Sequence, residues 1–87
     1  MYFIAVYDVG QGRVQKVMKF LRTYLNHVQN SVFEGELTPA QYAEVKHGIA
    51  KIINKEHDSV IFYNVGSTKW MEREILGQEK RSVSNFL

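Results

Sequence analysis

The sequence predicts an α+β fold, with two helices on one face of an antiparallel sheet. Three observations predict it. Apolar, aromatic and β-branched runs at residues 2–7 and 60–65 are too short for core helices and have the composition of strands. Two segments between them, one after Gly10-Gln11-Gly12 and one after Thr38-Pro39, carry apolar residues at helical spacing. A largely polar, alternating segment at 27–37 separates the two. Two crossover helices in only 87 residues are most economically placed on one sheet face, which gives the ferredoxin-like βαββαβ sandwich with an additional C-terminal strand. The expected domain spans 1–77, and 78–87 form a C-terminal tail able to dock on a partner subunit.

Each element has a local cause. Residues 2–7 are a continuous apolar run, the mark of a strand buried on both faces in mid-sheet, and the run ends at Asp8. Gly10 and Gly12 break the strand, after which Val14, Val17, Met18, Leu21 and Leu25 recur three and four apart. Arg13, Lys16, Lys19 and Arg22 lie off that stripe. Segment 27–37 is extended, as one bent strand or two short ones, with a bulge or bend at Gly35. At Thr38-Pro39-Ala40-Gln41 the helix start is well specified: Thr38 caps, Pro39 takes the first helical position, Gln41 completes a capping box, and Leu37 with Tyr42 can staple. Tyr42, Val45, Ile49, Ile52 and Ile53 supply the second buried stripe. Residues 54–58 make a polar turn, Gly66 stops the next strand, and a further strand at 69–76 alternates charge about Met71, Arg73 and Ile75. In the tail, Val83, Phe86 and Leu87 provide the docking groups.

Composition narrows the function classes. A chain of 87 residues has room for one core and no second catalytic domain. It hides only about two-thirds of its unfolded surface, so a partner subunit would add much to its stability. The sheet face without helices, rich in Tyr, Phe and Val, would be an exposed apolar patch unless a second copy covered it, and a twofold homodimer is expected. With no cysteine there is no disulfide framework, zinc knuckle or thiol nucleophile. The N-terminus lacks the basic and long apolar regions of a signal peptide, and no stretch approaches the roughly 20 apolar residues of a membrane span. A cytoplasmic protein with no membrane partner is the expectation. Net charge is +2, but the distribution is uneven: in residues 1–33 a single acid, Asp8, stands against Arg13, Lys16, Lys19 and Arg22, whereas in 34–79 eight acids outnumber five bases. The basic N-terminal third offers a face that can meet phosphate.

Asp8 closes what should be a central strand, just ahead of a glycine-punctuated turn. On spacing alone it reads first as a turn-forming aspartate that hydrogen-bonds the backbone. Its second reading is a hard oxygen ligand for Mg²⁺, which takes one or two carboxylates with water and phosphate oxygens; a twofold axis could bring two copies together. The three histidines have no metal-ligand spacing; His47 and His57 read as surface residues, and His27 is kept as a phosphate contact. Gly10-x-Gly12 lacks the third glycine of a dinucleotide-binding loop and the Gly-Lys-Ser/Thr ending of a P-loop, and Ser31, Ser59 and Ser67 lack the flanking glycines of a nucleophile elbow. The basic row on the first helix spreads around its surface and reads as a solvated face, unless a dimer aligns two copies against duplex phosphates. Phe3, Tyr7, Phe33 and Tyr63 read as core or interface before base-stacking platforms.

Val6-Tyr7-Asp8-Val9, the stretch Val28-Gln29-Asn30-Ser31-Val32-Phe33-Glu34-Gly35-Glu36-Leu37-Thr38, and Asp58-Ser59-Val60-Ile61-Phe62-Tyr63 together closely resemble the small CRISPR-associated protein two family. The likeness covers nearly the whole chain in the same order, and its Gln-x-Ser-Val-Phe-Glu-Gly part is specific. The resemblance implies a ferredoxin-like fold and a homodimer whose last strand or tail exchanges with the other subunit. It also implies a metal-dependent endonuclease for single-stranded RNA or double-stranded DNA, with Asp8 as the catalytic residue that holds Mg²⁺ at the dimer interface. A place in the spacer-acquisition complex, between two dimers of the Cas-one integrase, is implied as well. On this reading Tyr7 shapes the groove, and Arg13, Lys16, His27, Ser31 and Phe33 contact nucleic acid.

The chain departs from many relatives in having Gly10-Gln11-Gly12 and a single Arg13 where they carry a longer charged loop and adjacent arginines, and in having His27 where a basic residue often precedes Val-Gln. Fewer phosphate contacts weaken the nuclease case more than the architectural one. The alternative is a non-catalytic scaffold that bridges Cas-one dimers and supports duplex DNA. A third class, a ferredoxin-like metabolite-binding regulator, would show a ligand-shaped cleft in the dimer.

Overall fold

The structure, a computed structural model, describes residues 1–66 and 72–79. Its elements run β1 (Tyr2–Asp8), α1 (Gln11–Arg22), β2 (Asn26–Gln29), β3 (Val32–Glu36), α2 (Pro39–Ile52), β4 (Ser59–Asn64) and β5 (Glu72–Gly77). The strands form one sheet in the order β2-β3-β1-β4-β5, each neighbouring pair antiparallel. This is βαββαβ with a fifth strand beside β4, and both helices lie on one face. β1 is central, as its apolar composition predicts. The expected strand at 69–76 is observed as β5, while its positions 69–71 and the tail from residue 80 lie outside the described residues.

Side-chain alternation sorts the sheet into two faces. Phe3, Ala5 and Tyr7 of β1 are buried toward the helices with Phe33 of β3 and Val60 and Phe62 of β4. Tyr2, Ile4 and Val6 point the other way and are only half-buried, so the described residues leave the second face of β1 open. On the helical side, Val17 and Leu21 of α1 and Val45 and Ile49 of α2 complete the core; Val14, Met18, Tyr42 and Ile52 pack at its edge, and Leu25 and Ile53 close it beyond the helix ends. The capping box at α2 forms as its sequence demands: the Gln41 amide donates to Thr38 Oγ1 at 3.1 Å, and Thr38 N–H donates to Gln41 Oε1 at 2.9 Å.

Segment 27–37 resolves into the two short strands β2 and β3, joined at a turn where Asn30 has φ 44°. Asparagine tolerates this left-handed conformation better than most residues. The bulge expected at Gly35 falls instead on β2, where the register shifts between His27 and Gln29. Gly35 pairs with Phe3 in unbroken register because β3 lies beside the central strand, where a bulge would disrupt two ladders; β2 is an edge and tolerates it.

Gly77 ends β5 at φ 87°, and a Cβ there would stand 2.1 Å from the carbonyl oxygen of Asp58. Gly77→Ala is therefore expected to destabilise the fold by about 2 kcal/mol or more, from left-handed backbone strain plus overpacking. Gly12, on α1 with open space around its Cβ position, makes the opposite case. Gly12→Ala should stabilise by about 0.5–1 kcal/mol. Urea unfolding of the two variants followed by circular dichroism reads both signs.

Candidate functional site

Asp8 is the last residue of β1 and pairs with Ser59, the first of β4. Because Tyr7 faces the helices, Asp8 faces the open side, where it is exposed at the rim of the sheet. The same face carries Ile61 and Tyr63 of β4 with Arg73 and Ile75 of β5, set by the register Ile61↔Ile75 and Tyr63↔Arg73.

The turn behind Asp8 is held from a distance. Gly10 N–H donates to Asp58 Oδ1 at 3.0 Å, and Arg13 forks onto the same carboxylate, Nε to Oδ2 at 2.5 Å and Nη2 to Oδ1 at 2.9 Å. Asn54 N–H supplies a further bond to Oδ2 at 2.8 Å. Asp58 is fully buried, yet Arg13 and the two backbone amides hold its carboxyl well below the usual carboxylate range, outweighing the upward push of burial. The Asp58 hydrogen bond likewise raises Arg13 above the ordinary guanidinium value. Sequence reading placed Asp58 in a polar turn and missed this role. The two partners stand 45 positions apart, and no local pattern links them.

The structure gathers four of the sequence-selected residues around the β2–β3 turn. Tyr7 O–H donates to the Asn30 carbonyl at 3.3 Å, and His27 Nε2 lies 2.8 Å from the same oxygen. Tyr7 N–H donates to the Ser31 carbonyl at 3.1 Å. Burial pushes the Tyr7 phenol up, and the nearby charge of Arg22 draws it partly back. Phe33 packs between, its ring centroid 6.0 Å from that of Tyr7 and 4.8 Å from that of His27. This cluster lies near the Asp8 end of the sheet but on the helix-facing side. Phe33 is 0% exposed, so its ring is a core group and no nucleic-acid contact is assigned to it. Tyr7, 5% exposed, acts from beneath by holding the hairpin turn. Ser31 is half-buried at the turn and His27 is exposed. Lys16, Lys19 and Arg22 are exposed on α1, whereas Arg13 is committed to Asp58. His47 and His57 are exposed, as their positions suggested.

Residues 1–73 match the family described as CRISPR associated protein Cas2. The chain belongs to the Cas2 family. Proteins named CRISPR-associated endoribonuclease Cas2 from Dictyoglomus turgidum and Pyrococcus furiosus are each 52% identical to it over 87 residues, with 100% of both chains covered. A protein of the same name from Methanocaldococcus jannaschii is 49% identical over 100% of this chain and 76% of its own length. Among solved structures, one described as the crystal structure of cas2 superposes with a TM-score of 0.73 at 43% identity, covering 95% of this chain and 93% of the other. Streptococcus pyogenes Cas2, solved at pH 6.5, gives 0.71 at 36% identity over 80% and 90%. Among the described residues no helix is long and apolar enough to cross a membrane.

Within this Cas2 chain, no group of three His, Cys, Asp or Glu side chains that could hold a metal exists among the described residues. Asp8 is a hard oxygen donor of the kind Mg²⁺ prefers. At the opposite end of the sheet a cavity of about 540 Å³ opens beside Met1, Phe3, Tyr42, Phe62, Asn64 and Glu74. Its polar wall is self-satisfied: Tyr42 O–H donates to Glu74 Oε1 at 2.6 Å, and Lys46 Nζ reaches both Glu74 oxygens at 3.1 Å. The Tyr42 hydrogen bond, reinforced by Lys46, pulls the Glu74 carboxyl below its ordinary value.

The depressed carboxyl of Asp58 sets a pH dependence. The unfolded chain, with an ordinary value of 3.8, binds this proton more readily than the folded one, so the stabilisation is fully present above that value and is lost as pH falls below it. Asp58→Asn is expected to cost about 2 kcal/mol at neutral pH. The gap between the variant and wild type should start to narrow at about pH 4 and shrink steadily as pH falls further, in denaturation curves taken across pH.

Proposed function

We propose that this Cas2 chain is a homodimeric, metal-dependent endonuclease acting on single-stranded RNA or double-stranded DNA, and a subunit of the spacer-acquisition complex with the Cas-one integrase. The position of Asp8 carries the nuclease reading: an exposed carboxylate on the open sheet face, at the end of the central strand, backed by a pinned turn. The names of the endoribonuclease relatives make RNA the first substrate to test. Ile4, Val6 and Ile75, half-buried on that face, support a second copy as its cover, which would bring the partner's Asp8 to the same surface.

Asp8 and the partner's Asp8 would hold Mg²⁺. When bound, the ion supplies a water of lowered pKa and offsets phosphate charge. The chain's own residues do the rest. Exposed Lys16, Lys19 and Arg22 of α1 bind the phosphate backbone, and Ser31 and His27 line the hairpin end, where the Tyr7 hydroxyl fixes the turn through Asn30. A second reading, a non-catalytic scaffold that bridges Cas-one dimers and supports duplex DNA, is favoured by the engagement of Arg13 with Asp58, which removes a cation from phosphate binding beside Asp8.

Asp8→Asn is expected to lower cleavage of a short single-stranded RNA by at least about 100-fold, with dimer size and circular dichroism unchanged, and EDTA should have the same effect on wild type. A wild-type protein that cuts neither RNA nor duplex DNA with Mg²⁺, yet captures the Cas-one integrase and duplex, would establish the scaffold reading instead. Changing Lys16, Lys19 and Arg22 together to Gln should weaken RNA and DNA binding alike and flatten its dependence on salt, as measured by fluorescence anisotropy at several ionic strengths.

A further inference from the structure

We infer that Asp58 is a positioning residue for Asp8: it fixes the β1–α1 turn and the start of β4, and so sets where the Asp8 carboxylate stands. This role rests on the nuclease reading of Asp8.

Asp58 is placed to do this by chain topology. It lies one residue before Ser59, the cross-strand neighbour of Asp8, and its side chain reaches Gly10, two residues after Asp8. A single carboxylate therefore ties down the chain on both sides of the Asp8 end of the sheet. Gly10 is the N-cap of α1 and, lacking a side chain, supplies no side-chain cap of its own. The turn instead takes its acceptor from the α2–β4 loop, and Arg13, in the first turn of α1, is clamped to the same group. The packing is close enough that a Cβ on Gly10 would stand 2.6 Å from Arg13 Nη2.

The main chain of Asp58 extends the anchor. Its N–H donates to the Asn54 carbonyl at 2.8 Å, and its carbonyl accepts from Gln78 N–H at 2.8 Å, so the end of α2 and the end of β5 meet at the same residue. Among the described residues no buried side-chain nitrogen or oxygen lacks a partner. A buried carboxylate with both oxygens engaged and a bidentate guanidinium has one good geometry, and departures from it leave charge unpaired out of water. The turn behind Asp8 inherits that precision. A displacement of about 1 Å at a catalytic group is enough to cost a large factor in rate.

The test separates positioning from plain stability. Asp58→Asn, Asp8→Asn and a core control away from the site, Val45→Ala, are assayed on short RNA across a Mg²⁺ titration, well below their unfolding temperatures. Asp58→Asn is expected to lower kcat roughly 10- to 100-fold and raise the Mg²⁺ concentration for half-maximal rate, with KM for RNA little changed. Val45→Ala should keep wild-type values. In ¹H–¹⁵N spectra without metal, the amide signals of Asp8, Val9 and Gly10 should move in Asp58→Asn and stay in Val45→Ala. If Asp58→Asn does not fold, Arg13→Lys, which keeps the charge and loses the fork, is expected to show the same changes at smaller size. Wild-type kcat and Mg²⁺ requirement in a folded Asp58→Asn, beside an inactive Asp8→Asn, would overturn the inference, as would an equal loss in Val45→Ala. If Asp8→Asn itself cleaves normally, the nuclease reading fails first and takes this role with it.

Discussion

A carboxylate removed from water has to be paired and hydrogen-bonded, and that requirement at Asp58 governs how the two ends of this small fold meet. Burial alone would push its proton affinity up; the Arg13 fork and two backbone amides reverse the sign. The result joins pieces that hydrophobic burial leaves loosely related. α1 and α2 pack on the sheet through Val17, Leu21, Val45 and Ile49, contacts that resist separation but set no sharp angular relation for the loops at their ends. The ion pair provides the direction. It reaches the β1–α1 turn, the α2–β4 loop and, through the Asp58 carbonyl, the end of β5.

The same pair reassigns a charge. Read from sequence, Arg13 heads a basic row of four on α1 and counts toward phosphate binding. Folded, its side chain is 34% exposed and bound to Asp58, so the row that faces solvent starts at Lys16. An arginine suits this role because its planar fork matches a carboxylate, whereas a lysine would offer a point charge. The electrostatic surface beside Asp8 is correspondingly less positive than the sequence suggests.

Local signals in the sequence were enough for most of the fold. The apolar stripes, the Thr38 to Gln41 capping box and the strand at residues 60–65 are each specified within a few residues, and each forms. What could not be read depended on contacts distant in sequence. The bulge moved from Gly35 to β2 because position within the sheet, not residue type, decides where a ladder can be broken. Phe33, in the most recognisable stretch of the chain, turned out to be core because the register against Ala5 points it at the helices. The Asp58–Arg13 pair spans α1, the hairpin and α2, and only the closed sheet brings its halves together.

Register also divides the candidate chemistry. Tyr7 and Asp8 are neighbours in sequence, and a period of two sends them to opposite faces. On the helix side, Tyr7, His27 and Phe33 converge on the Asn30 turn and are largely spent in holding it. On the other side, Asp8 stands at the rim of a half-buried apolar surface made by Ile4, Val6 and Ile75. A surface of that kind gains most from association, and a carboxylate at its rim is brought toward any second copy that covers it. Half-buried apolar side chains and an exposed carboxylate therefore coincide on one face. In a chain of 87 residues a charged group at such a rim is one that the small core has no means of enclosing.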